Sequence, residues 1–197
     1  MRRKRRSNTL SFHEKPKKKF NKQLFYELLS WFFGIFLAIF LAFVIIMFFG
    51  IKTTMVGSSM EPAIYSGQNV FINRVAYNLS SPKRYDVVVF KPNGNVNSHL
   101  YIKRVIGLPG ETVQIINGKV YINGSALSDD IASDTKEPGV AANEIILDTD
   151  EYFVLGDNRV NSEDSRSANI GNVKTGMIEG SAWYKLKLGD KDSGKVE

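Results

Sequence analysis

TVQIINGKVYING, residues 112–124, alternates apolar and polar side chains from Thr112 to Ile122 around Asn117-Gly118. That dipeptide is the strongest short signal for a two-residue hairpin, because both central positions of a type I′ turn need positive φ, which Asn and Gly tolerate. Similar β signals lie on either side: NVFINRVAY (69–77), YDVVVF (85–90), LYIKRVIG (100–107), EYFVLG (151–156) and GMIEGSAWYKL (176–186). No long amphipathic helical pattern follows residue 52. The expected fold is mainly β, an antiparallel domain of linked hairpins or a distorted barrel. Residues 125–150 are acidic, poor in aromatics and punctuated by Pro138-Gly139, and read as an exposed excursion or small inserted lobe.

Upstream the chain changes character. From Trp31 to Phe49, WFFGIFLAIFLAFVIIMFF, nineteen residues carry no charge and no strongly polar group. At 1.5 Å per residue a helix of about 20 residues crosses a hydrocarbon core of ~30 Å. A cleavable signal peptide has a shorter apolar region, about 7–15 residues, followed by a small-x-small site; here the run is longer and GIKTTMVG follows. Residues 30–51 are therefore expected to form an uncleaved transmembrane anchor in a lipid bilayer.

Charge orients it. The 197-residue chain has a net charge of +6, yet residues 1–30 hold ten Lys/Arg against two Glu, leaving sixteen against eighteen for the rest. A basic flank before the span and Lys52 alone just after it place the N-terminus in the cytoplasm. Residues 1–29 then form a basic cytoplasmic tail and residues 52–197 an extracytoplasmic β domain. A nucleic-acid partner is disfavoured, because a basic arm of that kind usually accompanies a basic domain.

Zero cysteines exclude a disulfide framework, a thiolate metal site and a cysteine nucleophile. Of the two histidines, His13 lies in the tail and His99 in the turn-rich KPNGNVNSH, so a Ser/His/Asp site has one candidate base, and G-x-S-x-G fails because Glu61 follows Gly57-Ser58-Ser59-Met60. GDNRVNSEDSR (156–166) suggests a calcium loop, but counted from Asp157 the third position is Arg159 and the twelfth is Ala168. No metal and no cofactor are expected.

Lysine remains as a general base. An amine near its reference pKa of ~10.4 is almost wholly protonated at neutral pH, so a basic lysine needs apolar neighbours to desolvate it. Lys103 has the most apolar setting, in Leu100-Tyr101-Ile102-Lys103-Arg104-Val105-Ile106. On a strand, Tyr101, Lys103 and Val105 share one face and Ile102, Arg104 and Ile106 the other. An edge-strand lysine or a structural ion pair fits the same pattern.

The order of anchor, GSSMEP, YDVVVF, YIKRVIGLPGE and GDNRVNSEDSR resembles the type I bacterial signal peptidases, membrane-anchored serine proteases with a Ser/Lys dyad. The resemblance runs from the anchor to about Trp183. It implies an endopeptidase in the bacterial cell membrane that removes signal peptides from exported preproteins. By that resemblance Ser59 is the nucleophile, Lys103 the general base and Ser162 the serine that orients the lysine. Asp164 and Arg166 match further positions of the motif, and Asp157 with Arg104 matches a structural ion pair. Some members carry a serine, whose hydroxyl helps bind the oxyanion, at the position held here by Gly57. Family substrates bind as an added strand with small residues one and three before the cut. Met60, Ile64, Tyr101 and Ile102 are expected to wall those pockets. The alternatives are a Ser/Lys protease with a specialised substrate and a non-catalytic, membrane-tethered β binding module.

Overall fold

The computed structural model describes residues 21–49, 51–92, 99–128, 135 and 137–196. Most of the basic tail, His13, the middle of KPNGNVNSH and part of the acidic excursion lie outside them. The chain divides into two compact units, Met1–Leu41 and Ala42–Glu197.

The described part of the first unit is helix. Helix α1, Lys22–Phe49, continues into the second unit. Trp31, Phe32 and Phe36 are among a long series of exposed large apolar groups along it. Among the described residues it is the one helix long and apolar enough to cross a membrane. Such a surface is unfavourable in water and suits hydrocarbon, where the helix satisfies its own backbone polar groups.

Beyond the helix the second unit is mainly β, and its named strands all pair antiparallel. Its strands are β1 (Lys52–Thr54), β2 (Asn69–Asn73), β3 (Val87–Phe90), β4 (Tyr101–Gly107), β5 (Thr112–Ile116), β6 (Lys119–Ile122), β7 (Ser125–Ala126), β8 (Ile145–Ile146), β9 (Glu151–Leu155), β10 (Val173–Lys174), β11 (Ile178–Lys185) and β12 (Gly194–Lys195). The larger sheet runs β1-β2-β11-β3-β4-β9-β10, with β12 beside β11. The smaller runs β7-β6-β5-β8.

The smaller sheet grows from the Asn117-Gly118 hairpin. Both turn residues have positive φ, 49° and 81°, and Ile116 pairs with Lys119 as a two-residue loop requires. The described parts of the excursion return to this hairpin and do not stand apart from it. β7 and β8 flank it, Leu147 and Ala141 bury against Val113 and Ile115, and the Thr135 N–H donates to the Gly118 carbonyl.

One local expectation fails. NVFINRVAY reads as a single strand to residue 77, but the strand ends at Asn73 and Ala76–Leu79 form a short helix, α2. Asn73 Oδ1 accepts from the Val75 and Ala76 N–H groups at 3.0 and 3.1 Å, and this side-chain turn outcompetes the β propensity of Val75 and Tyr77.

Strand β4 matters most for the site, because it lies inside the larger sheet between β3 and β9. Its side chains reach three apolar clusters. Ile102 joins Met55, Met60, Ile64 and Val89; Ile106 joins Val113 and Phe153; Tyr101 and Val105 join Val88 and Val154. The strand is thus buried on both faces, and whatever polar residue it carries is desolvated with it.

Candidate active site

Ser59 sits on a loop pinned from within. Met60 and Ile64 are fully buried in the cluster beneath it, and the Ile64 N–H donates to the Met60 carbonyl at 2.8 Å, so one helical turn follows the serine. The loop's ends are tied by Met55 N–H to the Gln68 carbonyl and Gly67 N–H to the Met55 carbonyl, both 2.8 Å. Gly57 has φ +83°, a conformation in which a side chain is strained, and a Cβ there would meet nothing within 4 Å.

Lys103 approaches from β4. Its Nζ donates to Ser59 Oγ at 2.7 Å, across 44 residues of sequence. Both residues are buried, Lys103 at 3% and Ser59 at 8% exposure. Lys103 makes no ion pair among the described residues, and its strand is interior, so the edge-strand and ion-pair readings of this lysine fall. Burial lowers its pKa from 10.5 to about 8, against the pull of Asp164, Glu163 and Asp157, which favour the charged form. At neutral pH about a tenth of such amines are free of their proton, against fewer than about one in a thousand for an ordinary lysine. When the amine is neutral the same contact reverses, and the serine hydroxyl donates to the nitrogen lone pair. A hydroxyl beside a buried amine of lowered pKa is an arrangement suited to nucleophilic catalysis.

Residues 156–166 close the site from the other side. Asp157 takes two hydrogen bonds from Arg104, Nε to Oδ1 at 2.8 Å and Nη2 to Oδ2 at 2.7 Å, with both partners buried. Arg104 Nη1 also donates to the Tyr85 carbonyl at 2.9 Å, which is presented by a backbone with φ of 73°. Arg104 and Lys103, adjacent in sequence, thus serve different partners, as alternation along a strand requires. Asp164 accepts from Arg166 Nε at 2.8 Å and Nη2 at 2.9 Å, and from the Gly156 N–H at 3.0 Å. Burial opposes its ionisation, but Arg166 and the Gly156 N–H outweigh this and hold the carboxyl below the usual carboxylate range.

Gly156 is where the two halves of the site meet. A Cβ on it would fall 2.2 Å from Ser162 Oγ and 2.5 Å from the Ser59 carbonyl oxygen. Ser162 therefore lies against the same glycine as the Ser59 backbone. Its hydroxyl is buried and makes no hydrogen bond to Lys103; it lies close enough to Asp164 to help hold that carboxyl low.

A cleft of about 370 Å³ opens over the pair, lined by Ser59, Lys103, Tyr101 and Ile102, with Gly57, Ser58, Asn161 and Glu163 at its edges. Met60 and Ile64 lie beneath this cleft, in the core, and do not line it. His99 is exposed at the rim. Among the described residues no group of three His, Asp or Glu side chains is placed to hold a metal ion.

Three residues of GDNRVNSEDSR escaped the sequence reading, which tested that stretch first for calcium. Asn158 donates its N–H to the Ser59 carbonyl at 3.0 Å and its Nδ2 to the Ser58 carbonyl at 3.2 Å. Asn161 Nδ2 donates to Ser58 Oγ at 2.6 Å, so the hydroxyl of Ser58 is turned to Asn161 while that of Ser59 is turned to Lys103. Arg159 is buried, with Nε on the Gly156 carbonyl at 3.1 Å and Nη1 on Thr135 Oγ1 at 2.8 Å. The available signal was the density of Asn and Arg in a loop following a buried strand, a pattern that ties backbone to backbone.

Comparison with known proteins places the chain in a family. Residues 28–186 match the family model described as signal peptidase, peptidase S26. A signal peptidase I of Bacillus amyloliquefaciens is 38% identical over 71% of this chain and 77% of its own length. Signal peptidase I T of Bacillus subtilis (strain 168) is 34% identical over 79% and 83%, and signal peptidase IB of Staphylococcus aureus 32% over 81% and 90%. The crystal structure of a signal peptidase I from Enterococcus faecalis V583 covers 51% of this chain and 95% of its own, at 36% identity and a TM-score of 0.40. With a family model matched from the apolar helix to the end of β11, and relatives above 30% identity over most of both chains, this chain belongs to the signal peptidases of family S26.

Proposed function

We propose that this protein is a membrane-anchored serine endopeptidase that removes signal peptides from exported preproteins, with Ser59 as nucleophile and Lys103 as general base. The observation that carries the reading is the 2.7 Å contact between a buried lysine and a buried serine hydroxyl at the floor of an open cleft. Neutral Lys103 takes the Ser59 proton as Oγ attacks the scissile carbonyl. The resulting ammonium returns the proton to the leaving amine, and an acyl group stays on Ser59. Water, deprotonated in turn by Lys103, then releases the acyl group and restores the hydroxyl.

The remaining residues hold this geometry. Arg104 with Asp157, and Asp164 with Arg166, fix the loop that grips the Ser58-Ser59 backbone, and Ser162 packs against Gly156 beside the Ser59 carbonyl. Gly57 offers no side-chain donor to the oxyanion, so backbone N–H groups, that of Ser59 among them, are left with the task. One such donor is worth about 2.7–4 kcal/mol in a transition state. Substrate lies in the cleft as an extended strand between the Gly57 side and Tyr101-Ile102, with small residues at the first and third positions before the cut. The apolar helix α1 holds the enzyme in the membrane from which its substrates emerge, with the basic N-terminal tail on the cytoplasmic side.

The test is cleavage-site mapping. The full chain in detergent micelles is incubated with a precursor carrying Ala at the first and third positions before the expected cut, and the products are identified by mass. A single cut after the first Ala, abolished when either Ala is replaced by Phe, is expected. Cutting that ignores both positions would overturn the specificity, and no cutting of any precursor would leave the tethered binding module as the better reading.

A further inference from the structure

We propose that Glu163 is a specificity-determining residue, selecting a cationic side chain on the substrate beside the scissile bond; this rests on the reading of the cleft as a signal-peptide site.

The argument starts from the charge left in the cleft. Ser59, Lys103, His99, Tyr101, Asn161 and Glu163 all line it, and Glu163 is the one carboxylate among its described lining residues. The nearby acids are already matched: Asp157 by Arg104 and Asp164 by Arg166, each through two hydrogen bonds. Glu163 is exposed, makes no ion pair among the described residues, and has a long contact, 3.4 Å, from the Tyr101 hydroxyl. The Tyr101 ring lies in turn 5.5 Å from Lys103 Nζ, so the carboxylate is held at the wall of the reacting centre. In the reactive state Lys103 is neutral, and Glu163 then gives the cleft a net negative charge.

A substrate side chain that answers this charge cannot occupy the small-residue pockets. In an extended peptide alternate side chains point to opposite sides, so those at the second position before the cut and the first after it face away from the pockets together. One of these two is the position at which Lys or Arg is favoured. About 4 Å from the carboxylate in bulk water a substrate cation gains about fivefold and a substrate anion loses as much, with a larger effect at a partly exposed wall. Lys against Glu at the favoured position therefore changes the rate constant by roughly thirtyfold.

The experiment uses the full chain in detergent micelles and a series of peptides with Ala at the first and third positions before the cut. Each carries Lys, Gln or Glu at the second position before the cut or the first after it, and kcat/KM is measured for each. At low ionic strength the order Lys, Gln, Glu is expected at one of the two positions, with roughly thirtyfold between the ends. In Glu163→Gln the spread should fall within about twofold, in Glu163→Lys the order should invert, and in the wild type 0.5 M salt should compress it, since exposed charges are screened. Retention of the wild-type order in Glu163→Gln overturns the proposal, as does a wild type indifferent to charge at both positions. A wild type that cleaves none of the series refutes the signal-peptide reading itself, which is a separate outcome.

Discussion

Replacing Lys103 by Met should stabilise this protein at neutral pH and inactivate it. The folded chain holds the Lys103 ammonium in a place that lowers its pKa from 10.5 to about 8, chiefly through burial. Between those two values the unfolded chain binds more protons than the folded one, so stability rises with pH across that window. Below about pH 8 both states are protonated and the whole penalty is present: the gap, at about 1.4 kcal/mol per pH unit, amounts to about 3 kcal/mol. Met keeps the buried volume and removes the charge, while the lost hydrogen bond to Ser59 returns about 1 kcal/mol. A net gain of about 2 kcal/mol remains at pH 6.5. For a domain of this size that raises Tm by roughly 4–8 °C. The assay is a thermal melt of wild type and variant, both full chains in the same detergent, at pH 6.5 and at pH 10.5. The Tm difference should be near its full value at the lower pH and should fall to zero or slightly reverse at the higher, where the lost hydrogen bond is all that remains. In the wild type kcat/KM should climb about tenfold per pH unit and level off near pH 8. A Lys103→Met variant less stable than wild type at pH 6.5, or a Tm difference independent of pH, would refute the claim that Lys103 is held desolvated.

Three further substitutions probe the frame around the pair. Gly156→Ala drives a methyl to 2.2 Å from Ser162 Oγ and 2.5 Å from the Ser59 carbonyl; kcat should fall by at least ~100-fold, since misplacement of reacting groups by about 1 Å costs that much. Asp157→Ala leaves the Arg104 guanidinium buried without its carboxylate and should cost about 3–5 kcal/mol, seen as a large drop in Tm. Gly57→Ser places a side chain at φ +83° in open space, so a loss of about 1–2 kcal/mol from backbone strain is expected without steric damage, and the melt should show a shift of a few degrees.

The legibility of the fold followed the strength of local signals. Asn117-Gly118 specified its hairpin because turn chemistry and alternation agreed, and β4, β9 and β11 were visible as β-branched or aromatic runs. What local signals could not reveal was that β7 and β8, two residues each, would bind the acidic excursion to that hairpin: pairing of such short edges is decided by Leu147 and Ala141 finding a core built elsewhere. Asn73 misled in the opposite direction, since a side-chain turn stopped a strand that propensity would have extended.

The site was legible in a different way. Lys103 stood out because apolar neighbours on both sides in sequence meant burial on both faces of a strand. Its meeting with Ser59 spans 44 residues and has no local signature, so the pairing rested on the order of motifs. The choice between Ser58 and Ser59 likewise depends on contacts beyond the sequence, here the separate hydroxyl partners Asn161 and Lys103. Ser162 occupies a position against Gly156 and the Ser59 backbone but does not hydrogen-bond to the lysine. Asn158, Asn161 and Glu163 were hidden by their ordinariness: polar residues in a polar loop carry no pattern until the loop is seen folded over the serine.

The most direct test of the account is a parallel cleavage assay of wild type, Ser58→Ala, Ser59→Ala and Lys103→Ala, each as the full chain in detergent with one precursor, and each checked by its melt. Wild type should cleave, Ser58→Ala should retain activity within about tenfold through an intact dyad, and Ser59→Ala and Lys103→Ala should lose cleavage by at least ~10³-fold while remaining folded. Full activity in Lys103→Ala, or inactivity in Ser58→Ala beside an active Ser59→Ala, would contradict it.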